Sequence, residues 1–298
     1  MKTMPNFIII GAAKSGTTAL YQYLQQHPQI YMSPVKEPQF FAFEGEQLNY
    51  QGVGVAINQS ITTLEDYQTL FQDAANEIAI GEASALYLYV PKAPERIKYY
   101  LPDVKLIAIL RNPIERAHAA FLHLIRDGRE PFNDFKQALE AEPIRIENHW
   151  GFLWRYRDMG FYALQLKRYL KNFDRSQLKI YLYDDFLASP LPLLQDLFDF
   201  LGVERGFIPD MSFRPNRSGI PQNKRLHQFL KQKHWLKEMV KPLLPQKTRN
   251  RMADKLVQSN LTKVPIPAES KTQLIGTFRE DILELQQILD RDLSHWLI

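Results

Sequence analysis

At 298 residues, with 45% hydrophobic and 23% charged residues, the chain is long enough to bury one large α/β core or two small ones, which argues against intrinsic disorder. It contains no cysteine, which excludes disulfides, thiolate metal sites and cysteine nucleophiles, so any chemistry rests on Lys, Glu, His, Arg or Ser/Thr. The net charge of +4 is uneven: ten Lys and Arg stand against two acidic residues between Lys224 and Lys255, either a solvated helix face or an attractor for an anionic substrate or membrane surface.

Taken in chain order, Met1 to Asn6 lacks the apolar stretch of a signal peptide, and no run approaches the roughly 18 apolar residues of a membrane span. The expected location is therefore cytoplasmic. Phe7-Ile8-Ile9-Ile10, closed by Gly11, reads as a buried parallel strand. Thr17 to Gln26 reads as a helix through Leu20, Tyr21 and Leu24, ended by His27-Pro28. Further strands are predicted at Ile78-Ala79-Ile80, Val104 to Leu110 and Leu178 to Tyr183. Helices are predicted at Ile114 to Arg126, Tyr162 to Leu170 and Pro192 to Leu201, the last stopped by Gly202. Two amphipathic stretches follow, Lys224 to Val240 and Glu269 to Leu289, separated by a segment holding Pro242, Pro245, Pro265 and Pro267. This alternation predicts an α/β three-layer fold, a central parallel sheet covered on both faces, and the glycine loop between the first strand and helix makes it P-loop-like. A single domain over 1–298 is expected, with a helical C-terminal extension from about 224.

Gly11-Ala12-Ala13-Lys14-Ser15-Gly16-Thr17-Thr18 is the most informative stretch. A nucleotide-triphosphate loop reads G-x-x-x-x-G-K-[ST]. Here the glycine spacing is kept, but Thr17 takes the lysine's place and Lys14 sits inside the loop. Amides at the helix start can still hold a 5'-phosphate. Lys14 can reach the bridging oxygen where leaving-group charge develops.

These residues resemble the family of sulfotransferases that use 3'-phosphoadenosine 5'-phosphosulfate (PAPS), both the heparan-sulfate type and stand-alone bacterial members. Lys36-Glu37-Pro38-Gln39-Phe40-Phe41 is similar to that family's Lys-Glu-Pro-His-Phe-Phe element, with Gln39 in place of histidine. Arg111 to Phe121 is similar to the strand-to-helix element that holds the donor's 3'-phosphate, with Ala119 where the family usually has serine. Leu122 to Glu130, Asn216-Arg217-Ser218-Gly219 and Arg291 to Trp296 extend the resemblance over the whole chain.

The resemblance implies PAPS as co-substrate, no metal, and transfer to an acceptor hydroxyl on a glycan, lipid or small molecule. It places the donor on Lys14, Ser15, Gly16, Thr17, Thr18 and Arg111, with Ala119 beside the 3'-phosphate but lacking the usual serine hydroxyl, and Asn216, Arg217, Ser218 and Gly219 as candidates to close over the nucleotide. Glu37 is implied as general base, and its neighbours Phe40 and Phe41 are expected to desolvate it. His123, whose ordinary pKa suits proton abstraction, is the rival base. Glu82 and Ser84 are expected to orient the site or to cap a turn. Trp150 to Tyr162, with Trp154, Arg155, Tyr156 and Arg157, either lines an acceptor cleft or packs between helices. Two rival functions stay open: a nucleotide kinase on a similar fold, and a non-catalytic nucleotide-binding module with a basic tail. No nucleic-acid partner is expected, since the sequence carries no such motif.

Overall fold

The computed structural model describes residues 3–212, 219–221, 261–262 and 264–298. In chain order come β1 (Phe7–Gly11), α1 (Thr17–Leu24), β2 (Ile30–Met32), α2 (Phe40–Phe43), α3 (Leu64–Thr69) and β3 (Ala79–Ala83). Next are α4 (Ala93–Tyr100), β4 (Lys105–Leu110), α5 (Pro113–Arg126), α6 (Phe135–Glu140) and α7 (Glu142–Glu147). Then α8 (Tyr162–Asn172), β5 (Leu178–Leu182), α9 (Tyr183–Ala188) and α10 (Pro190–Leu201). The short β6 (Ile220–Pro221) and β7 (Leu261–Thr262) and the long α11 (Ala268–Leu289) complete the order.

Strands β1 to β5 form one parallel sheet in the order β2-β3-β1-β4-β5. The central strand β1 has side chains on both faces, as the period of two requires. Ile8 and Ile10 join Leu106, Ala108 and Leu110 in one apolar cluster, while Phe7 and Ile9 join Ile107 and Ile109 in the other. Burial on both faces is the reason these strands are continuous apolar runs. Helices α1 and α10 cover one face through Leu20, Leu24, Leu194 and Leu197. Helices α4, α5 and α8 cover the other through Ile97, Ala117, Ala120 and Leu166. The three-layer architecture expected from the sequence is the one observed.

Local chemistry fixes the ends that matter for the site. Asn112 caps α5 by accepting from the Ile114 amide at 3.0 Å, with Pro113 in the first turn. Helix α10 stops at Gly202, whose φ of 79° suits glycine. Strand β2 was not expected, and the run predicted to Tyr183 ends at Leu182, where α9 takes over.

The C-terminal helix is packed into the domain. Helix α11 buries Leu274, Phe278, Ile282 and Leu285 on one stripe. The Asp281 carboxylate accepts from the amides of Ala163 and Leu164 at 3.1 and 3.2 Å, opposite the positive end of α8. Beyond it, Arg291 pairs with Asp185 at 3.2 Å and Trp296 Nε1 donates to Asp184 at 3.4 Å, tying the terminus to α9. The strands β6 and β7 pair antiparallel, and β6 lies against α5. The basic segment 224–255, with its predicted helix Lys224 to Val240, lies outside the described residues. Among the described residues, no helix is long and apolar enough to cross a membrane.

Candidate active site

The loop between β1 and α1 turns through Lys14 at φ 68° and Gly16 at φ 97°. No side chain caps α1, and with the Ala19 amide turned to the Gly16 carbonyl at 3.0 Å, the Thr17 and Thr18 amides are left for an external anion. Gly16 is required twice over: its φ suits glycine, and a Cβ there would meet the Tyr183 ring at 3.0 Å. Ser15 and Thr17 are buried, and Thr18 lines the cleft. Lys14 is half-buried, and its pKa is drawn down from 10.5 to about 8, chiefly by burial and next by Arg126, with Glu37 and Asp127 opposing. A desolvated ammonium beside a second cation is stabilised by an anionic ligand, so the loop fits a phosphate.

The segment carrying Glu37 hangs from the end of β3. The Glu37 amide donates to the Ala83 carbonyl at 2.9 Å, the Gln39 amide to Ser84 Oγ at 3.1 Å, and the Phe41 amide to the Tyr87 hydroxyl at 3.3 Å. Glu37 and Gln39 both have positive φ, 61° and 63°. With Lys14 they account for three of the five non-glycine residues in that region among the described residues, a strain that concentrates at functional sites. The turn sends Phe40 and Phe41 into the core against Tyr67, at 4.7 and 5.1 Å between ring centroids. The Glu37 side chain stays 43% exposed, with Lys36 Nζ at 2.5 Å. The expected desolvation of Glu37 by those two rings is therefore not what the chain builds: the backbone turn points them the other way.

Beneath that segment Glu82 is wholly buried and accepts from the Tyr67 hydroxyl at 3.4 Å. Burial pushes its pKa from 4.5 up to about 7, against hydrogen bonds from Ser84, Tyr87 and Tyr67. Ser84 and Tyr87 thus hold the amides on either side of Phe40 while Glu82 anchors the network below.

Arg111 emerges directly after β4. Its Nε and Nη2 donate to Glu115 at 3.1 and 2.9 Å, and its guanidinium lies 5.0 Å over the Tyr183 ring. About three turns along α5 stands His123. Its Nδ1 accepts from Arg126 at 2.6 Å, which places the proton of the neutral ring on Nε2, 3.6 Å from Asp127. Burial, Lys14 and Arg126 lower its pKa to about 3. The imidazole is a weak base in this setting. Ala119 is buried on α5 and does not line the cleft. Asn216, Arg217 and Ser218 lie outside the described residues, while Gly219 is buried just before β6.

These groups share a cleft of about 490 Å³, lined by Lys14, Gly16, Thr17, Thr18, Lys36, Glu37, Arg111 and His123. Sequence reading missed Tyr183, Arg129 and the turn Val55 to Ser60, which line it too. The aromatic segment divides. Phe152, Leu153, Trp154 and Met159 line the cleft. Arg155 lies 4.4 Å over Phe152, Tyr156 donates to Glu130, and Arg157 pairs with Glu142 at 3.2 Å, so those three pack the structure.

A family model described as "Sulfotransferase family" matches residues 5–207. The mouse bifunctional heparan sulfate N-deacetylase/N-sulfotransferase 4 is 28% identical over 309 residues, covering 99% of this chain and 31% of its own length. The mouse heparan sulfate glucosamine 3-O-sulfotransferase 3A1 is 28% identical over 225 residues, covering 74% of this chain and 51% of its own. The chain thus spans only about a third to a half of these two relatives. A sulfotransferase structure from Alicyclobacillus acidocaldarius superposes with a TM-score of 0.78 at 33% identity, covering 99% of both chains.

Proposed function

The chain belongs to the sulfotransferase family, and from that premise we propose that it transfers a sulfuryl group from PAPS to an acceptor hydroxyl, releasing the bisphosphate PAP. The observation that carries this reading is the convergence of Lys14, Glu37 and Arg111 on one cleft. The first-turn amides of α1 with Thr17 and Thr18 would hold the 5'-phosphate, and Arg111 would turn its fork from Glu115 to the 3'-phosphate. Ala119 supplies no hydroxyl to that phosphate; Asn216, Arg217, Ser218 and Gly219 remain the proposed closing residues.

In the reaction the acceptor oxygen forms a bond to sulfur while the bond from sulfur to the bridging phosphate oxygen breaks. The electron pair leaves on PAP, where the Lys14 ammonium neutralises the developing charge. The hydroxyl proton passes to the Glu37 carboxylate, which faces the cleft on the rigid ladder from β3. His123 is assigned a supporting role, since its depressed basicity suits a hydrogen-bond partner better than a proton acceptor. Glu37 is the one carboxylate lining the cleft among the described residues, which disfavours a kinase that needs further acidic ligands for Mg²⁺. A cytoplasmic setting, and anionic or membrane contact through 224–255, stay part of the proposal.

Glu37→Gln tests it. Turnover of PAPS with a competent acceptor is expected to fall about 10²- to 10⁴-fold while PAP affinity changes less than about twofold. Unchanged turnover would remove Glu37 from the mechanism.

A further inference from the structure

Beside the phosphate loop the cleft is lined by a second wall, made by two segments nearly a hundred residues apart. One is the turn from Val55 through Ala56–Gln59, the other Gly151 to Trp154 with Met159. They are zipped together: the Gln51 amide donates to the His149 carbonyl at 2.8 Å and the Gly151 amide to the Gln51 carbonyl at 3.0 Å. Gly52, at φ 116°, lets the Trp154 ring lie so close that a Cβ there would meet it at 2.8 Å. The wall is therefore built as a unit, and Val55, Ile57, Phe152, Leu153, Trp154 and Met159 make its lining apolar.

The cations around this wall are already engaged. Lys14 and Arg111 are assigned to the donor, and Lys36 is paired with Glu37 at 2.5 Å. Arg129 donates to the Val53 carbonyl at 2.8 Å and lies 5.0 Å over Trp154, so it stiffens the wall. An acidic saccharide needs cations and a polar face; among the described residues this wall adds only Gln59 and Ser60. Resting on the sulfotransferase reading, we infer that the acceptor is an alcohol whose hydroxyl is carried on an apolar body, with the wall holding that body and Glu37 taking the proton.

The test uses the full chain saturated with PAP, titrated calorimetrically with 1-octanol and with an N-acetylated heparosan tetrasaccharide. Saturable binding of octanol and none of the tetrasaccharide is expected. Ile57→Lys and Leu153→Lys, both at half-buried positions, should each weaken octanol binding about tenfold or more. Their PAP affinity should change less than about twofold. With PAP bound, tetrasaccharide binding, octanol binding indifferent to both substitutions, or binding of neither probe overturns the acceptor class alone. Failure of PAP itself to bind would overturn the sulfotransferase reading beneath it.

Discussion

Lys14 should make donor affinity fall as pH rises, by an amount its environment fixes. In the free protein its ammonium titrates at about 8, below the ordinary 10.5, because burial and Arg126 disfavour the charge. A bound phosphate reverses that balance and raises the pKa, so binding above pH 8 takes up a proton. The PAP phosphates are already fully ionised there, since their second pKa lies near 6. At pH 9.5, about 1.5 pH units above the free-protein value, roughly 3% of Lys14 is charged, which corresponds to about a thirtyfold loss of affinity or about 2 kcal/mol. Calorimetric titration of PAP from pH 7 to 9.5 measures this. The slope should vanish in Lys14→Ala, which binds weakly at every pH. A flat profile in the unsubstituted chain, or an unchanged slope in Lys14→Ala, would refute the reasoning.

Gly16→Ala should destabilise the protein by about 1–3 kcal/mol, from the left-handed backbone and the 3.0 Å approach to Tyr183, read as a lower denaturation midpoint. Because Tyr183 also carries Arg111, PAP affinity should fall with it. Glu82 has a folded pKa raised to about 7, so its contribution is full below 4.5 and is lost as pH rises through 7. Glu82→Gln should flatten the stability profile between pH 5 and 8 by up to about 3 kcal/mol in denaturant titrations; a profile as steep as before would show that another group titrates.

What the sequence reveals here depends on how local the cause is. Phe7-Ile8-Ile9-Ile10 and Val104 to Leu110 are legible as strands because burial on both faces writes itself as an unbroken apolar run. Ile30-Tyr31-Met32 is too short to write anything, and only pairing with β3 makes it a strand. The Lys14 loop is legible because strand, loop and helix are contiguous. The surroundings of Glu37 are not: adjacency to Phe40 suggested an apolar setting, and the positive φ at Glu37 and Gln39 separates them without a glycine to signal it. Tyr183 and the Val55–Ser60 turn reach the cleft only through the topology, far in sequence from the loop they complete. Arg155, Tyr156 and Arg157 share the composition of their cleft-lining neighbours, and only their partners tell them apart.

The central claim is that the loop around Lys14 holds the nucleotide of a sulfuryl donor, and a thermal-shift comparison of PAP with ATP and Mg²⁺ tests it most directly. At about 100 times its dissociation constant PAP should stabilise the fold by roughly 2.7 kcal/mol, and the shift should be lost in Lys14→Ala. Stabilisation by ATP and Mg²⁺ with no response to PAP would contradict the claim and restore the kinase reading.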